Sequence, residues 1–252
     1  MPKSSLETPG FIITGCGRSG TGYISSCLDE SGIPCSHERV FSPKETHKTF
    51  SEIKNGEGEA SWYAAPFLQD AQKMSAKVIH IVRDPLAVAN SFYRLGVFSV
   101  FGWRNLIQNP SPVFISKKLL RNPSFFYKRI QHTMLHQSFI KNHTKILHER
   151  TEVDRCLRYW HDWNMLVERN CNSVQLPYLR VRLEDIENEG WEKISTFLGI
   201  EKEITRSIEK NKKLIYPRRS RLITESDMNE KTRALASRYG YNYGGTNDSG
   251  HH

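Results

Sequence analysis

Four glycines fall within the eight residues from 15 to 22, in Phe11-Ile-Ile-Thr-Gly-Cys-Gly-Arg-Ser-Gly-Thr-Gly22. The short apolar run Phe11 to Thr14 leads into them, and Ile24, Cys27 and Leu28 follow at helical spacings of three and four. Strand, glycine-rich turn and helix start together form a phosphate cradle. Glycines let successive backbone N–H groups converge on an anion, and the helix N-terminus adds partial positive charge. Arg18, Ser19 and Thr21 bring a cation and two hydroxyls into the same turn. Gly15 and Gly20 have the spacing of the nucleoside-triphosphate loop G-x-x-x-x-G-K-[ST], but Thr21 stands where that loop needs Lys, and the cation comes earlier, at Arg18. The turn is suited to phosphate without the usual order of Lys and Mg²⁺-binding hydroxyl. A glycine-rich turn with no ligand would have the same composition.

A second constellation follows Val78-Ile-His-Ile-Val82, a β-branched run that reads as a buried strand. It ends in Arg83-Asp84-Pro85 and continues through Leu86-Ala-Val-Ala-Asn-Ser91. Asp84 suits a helix N-cap and Pro85 the first helical position. Arg83 therefore stands at the carboxyl end of a strand, where open parallel sheets bind their ligands, and Ser91 lies two turns into the next helix. Both motifs are expected to face one crevice.

Gly15-Cys-Gly-Arg-Ser-Gly-Thr-Gly22 together with Arg83-Asp-Pro-x5-Ser91 resembles the PAPS-dependent sulfotransferases. Leu179-Arg-Val-Arg-Leu-Glu-Asp-Ile186, with Trp191, Ile194 and Phe197-Leu-Gly199, is similar to that family's later strand and short helix, and Tyr159-Trp-His-Asp-Trp-Asn164 to the helix before it. The likeness covers roughly residues 10–40, 60–95 and 155–200. The resemblance implies an α/β fold: a three-layer αβα arrangement around a central parallel sheet, of the P-loop nucleotide-binding type, plus a mainly helical insertion. It further implies that the first loop holds the 5′-phosphosulfate end of PAPS, with Gly17, Arg18, Ser19, Gly20, Thr21 and Gly22 as its residues. Arg83 and Ser91 would hold the 3′-phosphate. Arg18 would also neutralise charge on the bridging and sulfuryl oxygens. Family members often bring a C-terminal basic segment over the 3′-phosphate, and Arg219 and Arg221, in Tyr216-Pro-Arg-Arg-Ser-Arg-Leu222, are candidates; a solvated charge run has the same look.

The acceptor hydroxyl or amine needs a general base. Gly32 reads as a helix stop and Ile33 to Ser36 as a short strand, which leaves His37 and Glu38 at its carboxyl end beside the glycine loop. Relatives of the family use a Glu at about this place, so Glu38 is the closer match. His37 is the rival, because other branches use His and its ordinary pKa suits neutral pH. For Glu38 the competing role is a surface ion pair with Arg39. A kinase would need a metal, usually held by an Asp at a strand end, yet the apolar runs here end in Arg83 and Arg182. No metal is expected. Sulfuryl transfer depends on positioning and charge stabilisation, which arginines, hydroxyls and backbone N–H groups supply.

The bulk properties agree. A chain of 252 residues fits one α/β domain, with core segments 10–95 and 151–245 and a lid or acceptor wall over about 96–150. A net charge of +9 points to an anionic partner. No apolar run is long enough to span a bilayer, and mean hydropathy is −0.57. Met-Pro-Lys-Ser-Ser-Leu-Glu-Thr lacks the apolar stretch of a secretory signal, and five cysteines without CxxC spacing suggest reduced thiols, so a cytoplasmic location is expected. Trp62 and Tyr63 lie in a helical stretch near the crevice, where packing is their ordinary role and acceptor contact the alternative. Helices are also expected over 153–169 and 228–239.

Three function classes remain. The leading one is a PAPS-dependent sulfotransferase acting on a carbohydrate or other small acceptor. The others are a P-loop kinase or nucleotide hydrolase, and a basic nucleic-acid-binding module. The last rests on charge and on the aromatic insertion alone, and no stable nucleic-acid partner is expected.

Overall fold

The computed structural model describes residues 10–42, 50–98, 134–201, 204 and 221–243. Its centre is a five-stranded, wholly parallel sheet. The strands are β1 (Phe11–Thr14), β2 (Cys35–His37), β3 (Gly58–Ala60), β4 (Lys77–Val82) and β5 (Tyr178–Arg182), in the order β2-β3-β1-β4-β5. The sequence reading starts β2 two residues early, at Ile33 in place of Cys35, ends it at Ser36 so that His37 falls outside it, and misses β3. Gly-Glu-Gly-Glu-Ala over 56–60 reads as a polar loop, and only burial between β1 and β2 makes it a strand.

Alternate residues serve opposite faces, as a pleated strand requires. Phe11, Ile13, Ile79 and Ile81 pack with Ile24 and Leu28 of α1 (Thr21–Glu30) and with Ile194 and Leu198 of the helix Trp191–Leu198. Ile12, Val78 and Val82 face the other layer. That layer holds a 3₁₀ helix (Trp62–Met74), α2 (Pro85–Leu95), α3 (Glu152–Ser173) and the C-terminal helix Glu230–Arg238. The expected three-layer α/β architecture is the observed one. Residues 134–143 are helical, and Ile140 and Ile146 are buried in the same core as Trp160 and Trp163. Through these two residues the described part of the expected insertion packs on the core; residues 99–133 lie outside the described residues.

Strand order sets the crevice. From β1 the chain moves outward on one side to β2 and back to β3, then crosses to β4 and β5 on the other. The direction reverses between β1 and β4, and the space beyond their carboxyl ends is the binding position of an open α/β sheet. Pairing runs from Phe11↔Lys77 to Thr14↔His80, so the glycine loop after β1 and Arg83 after β4 leave the sheet as neighbours. Beneath them His80 is fully buried, with its ring nitrogens on the Tyr178 hydroxyl at 2.7 Å and Asn164 Oδ1 at 2.9 Å. Burial drives its pKa down to about 3, so it is neutral and structural.

Candidate active site

The loop from Gly15 to Gly20 is shaped by packing from below. A Cβ on Gly15 would collide with the Ile81 carbonyl oxygen and approach Ser19 Oγ to 2.7 Å. Gly15 lets the end of β1 lie against β4. Arg18 (φ 72) and Gly20 (φ 98) both take left-handed backbone, which turns the chain sharply into α1. A Cβ on Gly20 would stand 2.7 Å from Leu183 Cδ1. By helix geometry the first-turn N–H groups of Thr21, Gly22 and Tyr23 have no intrahelical acceptor, and they point out of the loop beside the positive end of α1.

Two of the loop residues expected to touch a phosphate are engaged within the protein. The Gly17 N–H donates to the Tyr159 hydroxyl of α3 at 2.7 Å, and a Cβ there would meet Phe92 Cζ and Tyr159 Oη at 3.1 Å. The Ser19 N–H donates to the Cys16 carbonyl at 3.1 Å, while its hydroxyl is buried under the loop with no hydrogen-bond partner. Gly17 and Ser19 therefore build the turn. The donors facing outward belong to the N-terminus of α1, where Thr21 and Gly22 stand. Cys16 is fully buried and its thiol is pushed up to about 12 by that burial, which makes it a packing residue.

On one side of the loop lies a cationic cluster. Arg83 Nη1 donates to the Arg18 carbonyl at 3.0 Å, and Arg18 Nε donates to Ser91 Oγ at 2.9 Å. The Trp160 indole holds the Arg83 carbonyl at 2.9 Å. Asp84 caps α2 by accepting from the Ala87 N–H at 2.6 Å, as its place before Pro85 predicts, and its other oxygen takes the Tyr243 hydroxyl. Arg18 is laid toward Ser91, so it belongs to this cluster as much as to the glycine turn. The neighbouring Asn90 clasps both backbone groups of Ile223, at 2.8 Å each. Arg221, two residues before Ile223, pairs with Asp227. Arg219 lies outside the described residues. Arg182 closes the C-terminal segment instead of opening a site: Nη1 donates to the Gly240 carbonyl at 2.6 Å, and its head lies over the Tyr241 ring.

On the other side stand His37 and Glu38. His37 ends β2, and its Nε2 is 3.2 Å from where a Gly22 Cβ would be, so its ring covers the start of α1. Glu38 follows in left-handed conformation (φ 53), with its N–H on the Ala60 carbonyl at 3.1 Å. Its carboxylate is 3.9 Å from His37 Nε2 and accepts from Trp62. The exposed Arg39 beyond this strand end pairs with Glu57 at 3.9 Å. Partial burial first, and the negative Glu59 second, raise the Glu38 pKa to about 7. Trp62 and Tyr63 are buried and pack with Tyr159, Trp163 and Phe139. They are core residues, although Trp62 touches Glu38.

Tyr159 and Glu59 escape a reading of the sequence alone. Tyr159 carries no signal beyond its place in Tyr159-Trp-His-Asp-Trp-Asn164, and Glu59 is an isolated acid in a glycine-rich stretch. Among the described residues no group of His, Cys, Asp or Glu side chains is arranged to hold a metal ion, and no helix is long and apolar enough to cross a membrane.

No protein-family model matches the chain, and no curated protein does. Among solved structures it is similar to a sulfotransferase domain from the curacin biosynthetic pathway, with 15% identity and a TM-score of 0.48, over 94% of this chain and 99% of that one. A likeness this distant carries no argument about function, which rests on the residues around the crevice.

Proposed function

We propose that the protein is a sulfotransferase that moves a sulfuryl group from PAPS to a hydroxyl or amine of a small-molecule or carbohydrate acceptor and releases PAP. The observation that carries this reading is the bond between Arg83 and the glycine loop. It joins a helix N-terminus, able to hold one phosphate, to an Arg83–Ser91–Arg18 cluster able to hold a second, within one crevice. A nucleotide with phosphates at both ends of its ribose fits two joined anion sites better than one with a single polyphosphate chain. PAPS supplies the activated sulfuryl group. The α1 amides of Thr21 and Gly22 bind its 5′-phosphate, and Arg83 and Ser91 its 3′-phosphate.

Glu38, on the opposite rim, takes the acceptor proton as the new S–O or S–N bond forms and the S–O bond to the 5′-phosphate breaks. A carboxyl that titrates near 7 is matched to such a transfer at neutral pH. His37, 3.9 Å away, is the alternative base. A cytoplasmic location belongs to the same proposal, supported by five buried, unbridged cysteines.

Thermal shift with PAP, ADP and a short oligonucleotide tests the reading. PAP is expected to raise the melting temperature far more than ADP does. Equal or greater stabilisation by ADP would favour a kinase or hydrolase, and by the oligonucleotide a nucleic-acid binder. Transfer of label from radiolabelled PAPS to a panel of hydroxyl and amine acceptors would then establish the reaction.

A further inference from the structure

We propose that Glu59 is a positioning residue for Glu38, pinning the turn that aims Glu38 into the cleft and setting a buried like charge beside it. The inference rests on the sulfotransferase reading only for its catalytic consequence. Glu59 is the central residue of β3, paired in register with Ile12 on one side and Ser36 on the other, and it is completely buried. Its Oε1 accepts from the N–H groups of Val40 at 2.9 Å and Phe41 at 3.3 Å, and its Oε2 takes the Ser36 hydroxyl. One carboxylate thus binds donors on both sides of Glu38, and the Glu38 N–H is tied to the next β3 residue, Ala60. These bonds hold Glu38 at φ 53, a conformation a non-glycine residue keeps only when its surroundings impose it.

The same placement has an electrostatic side. Glu38 is faced by His37 from its own strand, by Glu59 from β3, by Trp62 and Tyr63 from the 3₁₀ helix and by Tyr159 from α3. Glu59 is faced by Ser36 and Cys35 from β2 and by Arg39 and Glu38 from the following turn. Glu59 is the negative neighbour that disfavours ionisation of Glu38, and burial raises its own pKa as well. Two such carboxyls titrate as a pair.

Carboxyl-carbon NMR of Glu38 in wild type and Glu59→Gln tests this directly. Removing the like charge should lower the Glu38 midpoint by about one unit. If Glu59→Gln does not fold, the wild type decides, because the charge that raises Glu38 must already be present when Glu38 ionises. The Glu59 carboxyl carbon should then complete its titration below the Glu38 midpoint, because only the carboxyl that ionises second feels the charge of the first. Glu59→Gln should also lower kcat for PAPS turnover with little change in KM, and move the acid limb of the pH profile to lower pH. Identical Glu38 titration in wild type and Glu59→Gln, or a Glu59 carboxyl still protonated at the Glu38 midpoint of the wild type, overturns the proposal. Calorimetry with PAP separates the two ideas. Failure of the wild type to bind PAP sinks the sulfotransferase reading, whereas normal PAP binding with no coupling sinks the role of Glu59.

Discussion

Arg83 Nη1 donates to the carbonyl oxygen of Arg18 at 3.0 Å, so the end of β4 and the glycine loop after β1 form one hydrogen-bonded unit. A guanidinium has five donors, and this bond uses one of them. The rest of the head remains able to meet an anion, beside Ser91. Arg83→Ala is therefore expected to weaken PAP binding by about 10- to 100-fold, the size of a lost charge-assisted hydrogen bond. ADP, which has no 3′-phosphate, should lose much less. Ser91→Ala should cost PAP about 3- to 10-fold, as a neutral donor would. Calorimetric titration of both nucleotides against the three proteins checks the pattern, and equal losses for PAP and ADP would contradict it.

Tyr159 reaches from α3 to the Gly17 N–H at 2.7 Å, and its hydroxyl is fully buried. Tyr159→Phe keeps the ring and leaves that amide without its partner. An unsatisfied buried donor costs about 1–3 kcal/mol. The melting temperature should fall by about 2–4 °C for each kcal/mol lost in a domain of this size. Because the amide belongs to the anion loop, PAP affinity should drop as well. A variant that melts lower yet binds PAP as tightly as wild type would make Tyr159 a packing residue alone.

Gly15 and Gly20 look alike in the sequence, and the structure gives them different work. A side chain at Gly15 would strike the Ile81 backbone, which cannot move without separating β1 from β4. Gly15→Ala should therefore destabilise the fold by about 3 kcal/mol or more, beyond the usual cost of overpacking. Gly20→Ala meets the mobile end of Leu183 but must hold φ 98, so its cost should appear in loop geometry and PAP affinity. Denaturant unfolding with PAP titration distinguishes the two; comparable stability of Gly15→Ala and wild type would refute the packing role.

Much of this architecture was legible because local rules and tertiary packing agree. Asp84-Pro85 is a helix start by its own chemistry, and it caps α2 as written. The apolar run Val78–Val82 can be nothing but an interior strand in a sheet covered on both faces. Ser19 shows the opposite case. A hydroxyl in a phosphate-type turn is expected to face the ligand, but Ser19 lies between the left-handed residues Arg18 and Gly20 with its Oγ buried, and spacing does not encode that backbone path. Glu59 is invisible for a related reason. Its role depends on the crossover that lays β3 between β1 and β2, which brings residue 59 against residues 36 to 41 from across the sheet.

Glu38 and His80 set opposing pH dependences, and their difference is measurable. The folded Glu38 titrates near 7 against an ordinary 4.5. Between those values the folded state binds more protons than the unfolded one, so this carboxyl lowers stability as pH rises through the window, and the cost is complete above 7. His80 titrates near 3 against 6.5. The folded state there binds fewer protons, so its contribution is full above 6.5 and is lost as pH falls toward 3. From 4.5 to 6.5 the two slopes oppose each other and flatten the wild-type profile. Glu38→Gln removes the first term and leaves the second. At pH 8 the variant should be more stable than wild type by about 1–3 kcal/mol, since each pKa unit is worth about 1.4 kcal/mol and the partly exposed side chain realises less than the full shift. At pH 4 the two proteins should melt together, because Glu38 is protonated in both folded and unfolded wild type. The variant's stability should climb with pH more steeply than wild type between 4.5 and 6.5, where His80 acts unopposed by Glu38. Equal melting temperatures at pH 8 would mean that Glu38 is ionised without cost in the fold, and a carboxyl so relaxed would be a poor base for the transfer proposed.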